Sequence, residues 1–339
     1  MGVLSQKGPL SRSKVSQGLS LASPVSRATL IRDLNDLANR GLIKVRGRGR
    51  SVIYAPVEDR PLLSYVDLDN YFSKEIDVRE VRSENFNPKI FPQLKNILTE
   101  EEKEEFEQGR KSFTKNLLRS EETEFQKELE RFAVELSWKS SKIEGNTYTL
   151  LETEDLIKRQ KEAEGHSKKE AVMILNHKKT FDLILKNRTD FQKISLADIR
   201  GLHAELTKDL SIDQGFRQRP VGITGTRYQP PKDMWQIKEA VEKLVKILNL
   251  TKNPAEKSFI ALALVAYIQP FADGNKRASR MLSNALLLAF GYYPLSYRGI
   301  DEIEYKKALI VFYEQNNLYH LKRLFLGQYR FAIENYFKF

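Results

Sequence analysis

The stretch Gln269-Pro-Phe-Ala-Asp-Gly-Asn-Lys-Arg-Ala-Ser-Arg280 lies between two helix-forming runs, and its reading decides the rest. Upstream, Pro254–Ile268 is a nearly continuous apolar helical segment that Pro270 must stop, because proline has no N–H and clashes with the preceding turn. Gly274 and Asn275 tolerate the positive φ of a tight turn. A second helix, Lys276–Phe290, begins at once, and Gly291 ends it. Its first N–H groups, with Lys276 and Arg277 at the start and Arg280 one turn on, make a site suited to a polyphosphate. Asp273, just outside the turn, suits a magnesium ion that bridges phosphates. By itself an Asp-Gly-Asn turn between core helices, with solvated arginines, accounts for the same residues.

From Glu100 helix follows helix. Phe125, Leu129, Phe132 and Leu136 form an apolar stripe at helical spacing that Ser140 and Ile143 continue. Ser167-Lys-Lys-Glu170 is a capping box, and Ser195 caps the helix that contains His203. Met234–Leu248, Asp301–Asn316 and Leu318–Tyr336 complete an α-bundle over 101–339. Residues 58–100, with Pro61, Pro88 and Pro92 and no sustained period, read as an ordered connector. The chain has 339 residues and no cysteine, which excludes disulfides, thiolate metal sites and cysteine nucleophiles and suits a reducing cytoplasm. Its longest apolar run, Phe259–Ile268, is too short to span a bilayer, and Met1–Ser20 lacks the apolar core of a signal peptide.

The formal charge of +11 is local: residues 1–57 hold ten Lys/Arg against Asp33 and Asp36. In that segment Ser11–Gly18 reads as a short helix with a Ser cap and a glycine stop. Ser23-Pro24 opens a second helix whose Leu30, Leu34 and Leu37 share a buried face, with Arg27 and Arg32 off that stripe and Gly41 at its end. Leu42–Arg46 and Ser51–Ala55 read as strands joined by Gly47-Arg48-Gly49-Arg50, a hairpin with a cationic tip. Helix, turn, helix, basic hairpin resembles a winged helix-turn-helix. Arg27 and Arg32 on the second helix and Arg46, Arg48 and Arg50 on the wing would then meet double-stranded DNA; a protein-docking module is the other reading. Little chain precedes Pro9, so either the first helix of such a module is short or the sequence begins part-way into it.

The 269–280 string resembles the Fic family signature, HPFxxGN(G/K)RxxR, at every specified position except the first. Ser140-Ser-Lys-Ile-Glu144-Gly145 is similar to that family's inhibitory motif, (S/T)xxxE(G/N), placed before the core. Gly215-Phe-Arg217 and Thr224-Gly-Thr-Arg-Tyr-Gln-Pro-Pro231 resemble the stretch around the flap that pairs with a target segment, which would place Thr226, Arg227 and Tyr228 in the flap. The resemblance spans roughly 120–300. It implies a mainly α fold, a Fic-type helical bundle with a small β-hairpin flap, to which the N-terminal segment adds a small α+β winged-helix domain. It implies transfer of AMP from ATP to a protein hydroxyl with magnesium. In it Asp273 binds Mg2+, and Gly274, Asn275 and Lys276 line the anion hole. Arg277 contacts the β-phosphate. Arg280 holds the γ-phosphate or, in the inhibited state, pairs with Glu144, while Phe271 is a buried anchor.

One position departs. The family places at the first motif position a histidine that takes the proton of the attacking hydroxyl, and here it is Gln269, an amide that can orient a hydroxyl but not deprotonate it. His166, His177, His203 and His320 lie elsewhere in sequence. Two functions follow: an adenylyltransferase inhibited by Glu144 and slowed or altered at Gln269, or a DNA-binding regulator whose helical body binds nucleotide without transfer. Transfer of a group other than AMP is a third reading. The expected partners are ATP, duplex DNA and a target protein, with a homodimer as a possible assembly and no membrane.

Overall fold

The computed structural model describes residues 4, 9–20, 25–39, 43–56 and 60–339. Two short helices, α1 (Arg12–Ser20) and α2 (Arg27–Asn39), pack on a small sheet of β1 (Leu10–Ser11), β2 (Ile43–Arg46) and β3 (Ile53–Pro56). The sheet is antiparallel in the order β1-β3-β2. Val15, Leu30, Leu34, Ile43 and Tyr54 are buried together as a core of their own, and Leu37 packs on its edge. Three sequence expectations need correcting. Helix α1 runs through Gly18 to Ser20, because a lone glycine weakens a helix without ending it. The wing's return strand begins at Ile53 rather than Ser51, since one 3-10 turn fills Gly49–Ser51. Leu10–Ser11, two residues too short to show a period, pairs with Ile53 and Tyr54 as a third strand. Ser23, Pro24, Gly41 and Leu42 lie outside the described residues.

The body begins with 3-10 turns at Pro61–Leu63, Ile76–Val78 and Pro88–Gln93 and a single helical turn, α3 (Leu68–Phe72). Longer helices follow: α4 (Glu100–Arg119), α5 (Glu122–Ile143), α6 (Leu150–Arg159), α7 (Lys168–Lys186) and α8 (Leu196–Thr207). After a long irregular stretch come α9 (Met234–Leu250), α10 (Pro254–Ile268), α11 (Asn275–Ala289), α12 (Glu302–Gln315) and α13 (Tyr319–Asn335). Helix α10 is buried on every side from Ala255 to Ile268, which is why its sequence is apolar all round rather than striped. It packs most closely against α11, and α5, α7, α8, α9, α12 and α13 complete the shell around the pair. Thr99, Thr149, Ser167 and Ser195 all close capping boxes, fixing where α4, α6, α7 and α8 start.

The segment read as a connector is part of this core. Leu62, Leu63, Ile90, Phe91, Leu94, Ile97 and Leu98 are buried with the α10 and α11 side chains, and the Leu98 N–H donates to Glu256 Oε1 at 3.0 Å. Prolines and 3-10 turns erased the periodicity while leaving the apolar residues free to face inward. The expected flap hairpin is also absent among the described residues. Residues 211–233 run irregularly, held by one parallel bridge between Asn85 and Gln229. In it the Gln229 N–H donates to Glu84 O at 2.6 Å and the Phe86 N–H to Gln229 O at 2.9 Å.

Candidate functional site

Helix α10 ends where Gln269 takes a left-handed conformation, φ 50°, and its amide Nε2 donates to Ala266 O at 2.7 Å. Gly274 (φ 77°) then opens α11. Gly274's positive φ calls for glycine, and a Cβ there would also press on Thr207 Cγ2 at 3.0 Å and Arg277 Nη2 at 3.3 Å. Asn275 staples the turn: its Oδ1 accepts from the Phe271 N–H and its Nδ2 donates to Phe271 O, both at 2.8 Å. Phe271, fully buried, stacks on the His203 ring at 3.7 Å and 5°. His203 Nε2 donates to Asp273 O at 2.8 Å, and burial lowers this imidazole to about 4, so it is neutral.

The charges gather on one side of this turn. Arg280, with no exposed surface, donates from Nε to Ser140 Oγ and from Nη2 to Ser140 O and Glu144 Oε1, each at 2.9 Å. Lys276 Nζ is 3.5 Å from the other Glu144 oxygen. Burial opposes ionisation of Glu144, but Arg280, then Lys276, outweigh it and hold the carboxyl below its ordinary value. Behind Ser140 stands His177. Its Nδ1 donates to Met173 O at 2.9 Å, so Nε2 is the acceptor for the Ser140 hydroxyl at 2.9 Å, and Ser140 Oγ is left to accept from Arg280. Burial, then the neighbouring Arg277, depresses His177 to about 3.

A cavity of about 600 Å³ opens over the turn. Glu144, Gln269, Asp273, Gly274, Asn275 and Lys276 supply its polar floor, and Val221–Gly225, Leu309, Ile310 and Tyr313 its walls. Arg277 and Arg280 do not line it. Arg277, 2% exposed, lies beneath the turn with Nη2 3.6 Å from Asp273 Oδ2 and Nη1 3.4 Å from Leu206 O. The Asn275 side chain is spent on closing the loop, so this residue offers the cavity its backbone rather than its amide. Asp273 keeps 72% of its side chain exposed, with Oδ1 accepting from the Gly274 N–H at 2.6 Å. Among the described residues no three His, Cys, Asp or Glu gather into a metal cage. One open carboxylate beside a helix N-terminus is the kind of site that would fit magnesium, which keeps waters and would take the rest of its shell from a bound polyphosphate.

The flap residues singled out from sequence turn inward instead. Tyr228 is buried with its hydroxyl donating to Tyr267 O at 2.8 Å, and Thr226 Oγ1 donates to Glu314 Oε1 at 2.6 Å. Arg227 pairs with Glu84 at 3.1 Å and donates to Arg79 O. The stretch that faces the cavity is Val221–Gly225, just before them. Buried Arg217 ties this irregular chain to the turn, donating to Gln269 O at 2.7 Å and to Arg219 O and Pro231 O. His177 and His203 were not visible as site residues in the sequence, because the groups they bond, the Ser140 hydroxyl 37 residues away and the Asp273 carbonyl 70 residues away, leave no local pattern. In the N-terminal module Arg27, Arg32, Arg46 and Arg48 are exposed; the Arg50 side chain lies outside the described residues.

Residues 193–287 match the Fic/DOC family. Over 160 residues the chain is 32% identical to the protein adenylyltransferase Fic of Drosophila erecta and, equally, of Drosophila melanogaster, covering 45% of this chain and 32% of each relative. The match thus spans about a third of the length of those relatives. Among solved structures, Fic-1 of C. elegans superposes with a TM-score of 0.59 at 21% identity over 70% of each chain. A Fic domain containing signaling protein from Bacteroides thetaiotaomicron gives 0.55 at 20% identity, over 69% of this chain and 96% of that one. The mainly helical body therefore has a Fic-type fold, and the 269–280 turn falls inside the matched segment. No helix among the described residues is long and apolar enough to cross a membrane.

Proposed function

We propose that this chain is a protein adenylyltransferase that Glu144 holds in check, moving AMP from ATP to a Ser, Thr or Tyr hydroxyl of a target protein with release of pyrophosphate. The observation that carries the reading is the Glu144–Arg280 contact at 2.9 Å beside the N-terminus of α11. A buried guanidinium whose carboxylate partner lines the cavity is a place where an incoming phosphate must compete. Asp273 would hold magnesium, which when bound neutralises phosphate charge. The N–H groups at the start of α11 and the Lys276 ammonium favour the remaining oxygens. The resemblance of Ser140–Gly145 to the family's inhibitory motif supports the same role for Glu144. The N-terminal module, with exposed Arg27, Arg32, Arg46 and Arg48, would bring this activity to duplex DNA in a reducing cytoplasm.

Gln269 sets the pace. With Nε2 committed to Ala266 O, the side chain offers an approaching hydroxyl its Oε1, a neutral acceptor. That orients the nucleophile and leaves its proton without a base, so transfer is slow. The same observation favours a second reading, a DNA-binding regulator whose body senses nucleotide without chemistry. Incubation of the full chain and its Glu144→Gly variant with α-phosphate-labelled ATP, magnesium and cell lysate separates them. Covalent label that grows faster with the variant supports the transferase, whereas Mg·ATP binding by calorimetry with no label from either protein replaces it with the sensor.

A further inference from the structure

His203 takes no part in the reading above, yet its imidazole is wedged against the turn that carries Asp273. One ring face stacks on Phe271 at 3.7 Å, Nε2 donates to Asp273 O at 2.8 Å, and Nδ1 is buried with no partner. Thr207 Oγ1, one turn on, donates to His203 O at 2.7 Å and accepts from Gln214 Nε2 at 3.2 Å, so this end of α8 is itself held. We infer that His203 is a positioning residue that fixes the direction of the Asp273–Gly274 peptide and so aims the Asp273 carboxylate at the cavity; the inference rests on the nucleotide reading proposed above.

Peptide geometry links the imidazole to the carboxylate. In a trans peptide the C=O and the following N–H point in opposite directions. With Asp273 O drawn toward α8 by His203, the Gly274 N–H points away from α8, and Asp273 Oδ1 sits on it at 2.6 Å. The carboxylate is therefore oriented by an N–H whose own direction depends on His203. The opposite peptide orientation would turn a carbonyl oxygen toward the anion site and take the N–H from Asp273. Asn275 fixes the turn at Phe271, two residues earlier, but none of its hydrogen bonds reaches the 273–274 peptide. Packing around Gly274 leaves that peptide little slack, since Thr207, Arg277 and His203 Nε2 all lie within 3.5 Å of where a Cβ would be.

Two substitutions separate the donor from the ring. His203→Phe keeps the aromatic stack on Phe271 and removes the N–H; His203→Gln removes the ring and keeps an amide N–H at similar reach. Each is made in the full chain carrying Glu144→Gly, and ATP is titrated calorimetrically with magnesium and with EDTA, with thermal unfolding as a check. Outer-shell partners of a metal ligand are typically worth about ten- to a hundredfold in affinity, so His203→Phe should lose about tenfold of the magnesium-dependent gain in ATP binding. Binding in EDTA should move less than about twofold, because only the Asp273-linked part is touched. His203→Gln should recover most of the loss, and His203→Phe added to Asp273→Asn should cost nothing further. A full magnesium-dependent gain in folded His203→Phe overturns the inference, as does a His203→Gln variant that is as impaired as His203→Phe. If the Glu144→Gly parent itself shows no magnesium-dependent ATP binding, the nucleotide reading fails first and this inference with it.

Discussion

The two ends of the chain handle positive charge in opposite ways. In the body, Arg277 and Arg280 are 2% and 0% exposed and each has a carboxylate in reach, Asp273 at 3.6 Å and Glu144 at 2.9 Å. In the N-terminal module, Arg27, Arg46 and Arg48 stand in solvent on a helix and a hairpin. A buried guanidinium needs a resident anion to offset desolvation, so any anionic ligand it serves meets a competitor built into the fold. An exposed arginine needs no such resident, because water already solvates it, and what it gathers is set by ionic strength instead. Control by a loop carboxylate is thus available to the helical site and not to the basic module.

The largest expected effect tests whether charge is the only obstacle in the body. A positioned general base is worth about 10²–10⁴ in rate, and the phosphate binding proposed for Lys276, Arg280 and a magnesium ion on Asp273 does not depend on it. Gln269→His combined with Glu144→Gly should therefore self-label far faster than Glu144→Gly alone, read by mass spectrometry as an added adenylyl group on Tyr, Thr or Ser. The backbone makes this a fair exchange: Gln269 already places a side-chain N–H on Ala266 O, a bond an imidazole Nδ1–H can replace. Equal labelling by the single and double variants would mean that another group serves as base. No labelling by a double variant that binds ATP would leave the site a sensor.

The competitor is isolated by comparing nucleotides. If Glu144 occupies the guanidinium that a γ-phosphate needs, Glu144→Gly should tighten ATP by about ten- to a hundredfold, the range of a charge-assisted hydrogen bond. AMP, which has no γ-phosphate, should change little. Equal effects on the two would place the competition elsewhere in the cavity and dissolve the contrast between the buried and exposed arginines.

A smaller effect follows from keeping imidazoles neutral beside these cations. His177 and His203 are lowered by burial to about 3 and about 4, against an ordinary value of 6.5. Below 6.5 the unfolded chain takes up protons that the folded chain refuses, so their contribution is complete above 6.5 and is lost as the pH falls toward those values. Thermal stability should decline between pH 6.5 and 4 by up to about 1.4 kcal/mol per pH unit for each histidine, and His177→Asn should flatten the decline. Glu144 is shifted in the sense that favours its ionised form, so over pH 5 to 7 the difference between ATP binding to wild type and to Glu144→Gly should stay constant. A difference that shrinks toward pH 5 would show that the pair is weaker than its geometry.

What could be read beforehand follows from how local each determinant is. Helices α10 and α11 and the turn between them were legible because an apolar run, a proline and a Gly-Asn pair act within a few residues. The Glu144–Arg280 pair, 136 residues apart, was reachable only through resemblance to a family. The burial of Ile90, Phe91 and Ile97 was hidden because 3-10 turns and prolines carry no period that marks a core face. A motif alone marks Tyr228 and Thr226 as flap residues, whereas Tyr267 and Glu314 on separate helices draw them inward. His203 and His177 gave no signal, since a histidine on a helix looks the same whether its partner is water or the turn of another helix.

The smallest expected effect lies in the module and asks whether its arginines behave as exposed charges should. Each phosphate neutralised on duplex DNA releases counterions, so the logarithm of affinity falls with the logarithm of salt at about 0.9 per contact. Arg46 and Arg48 border the Gly47 turn, which glycine alone fits because a Cβ would lie 2.5 Å from Ser51 O, so both side chains are presented on a fixed tip, with Arg50 two residues beyond Arg48 in sequence. Replacing Arg46, Arg48 and Arg50 with alanine should reduce the slope by about two to three, measured by duplex binding of the full chain across salt concentrations. Glu144→Gly, which changes the buried pair, should leave that slope as it is. A triple variant with an unchanged slope, or a chain that binds no duplex at low salt, would make the module a protein-docking surface. A slope that moves with Glu144→Gly would instead show that the module and the buried site are coupled, and that the exposed arginines also answer to the competitor in the body.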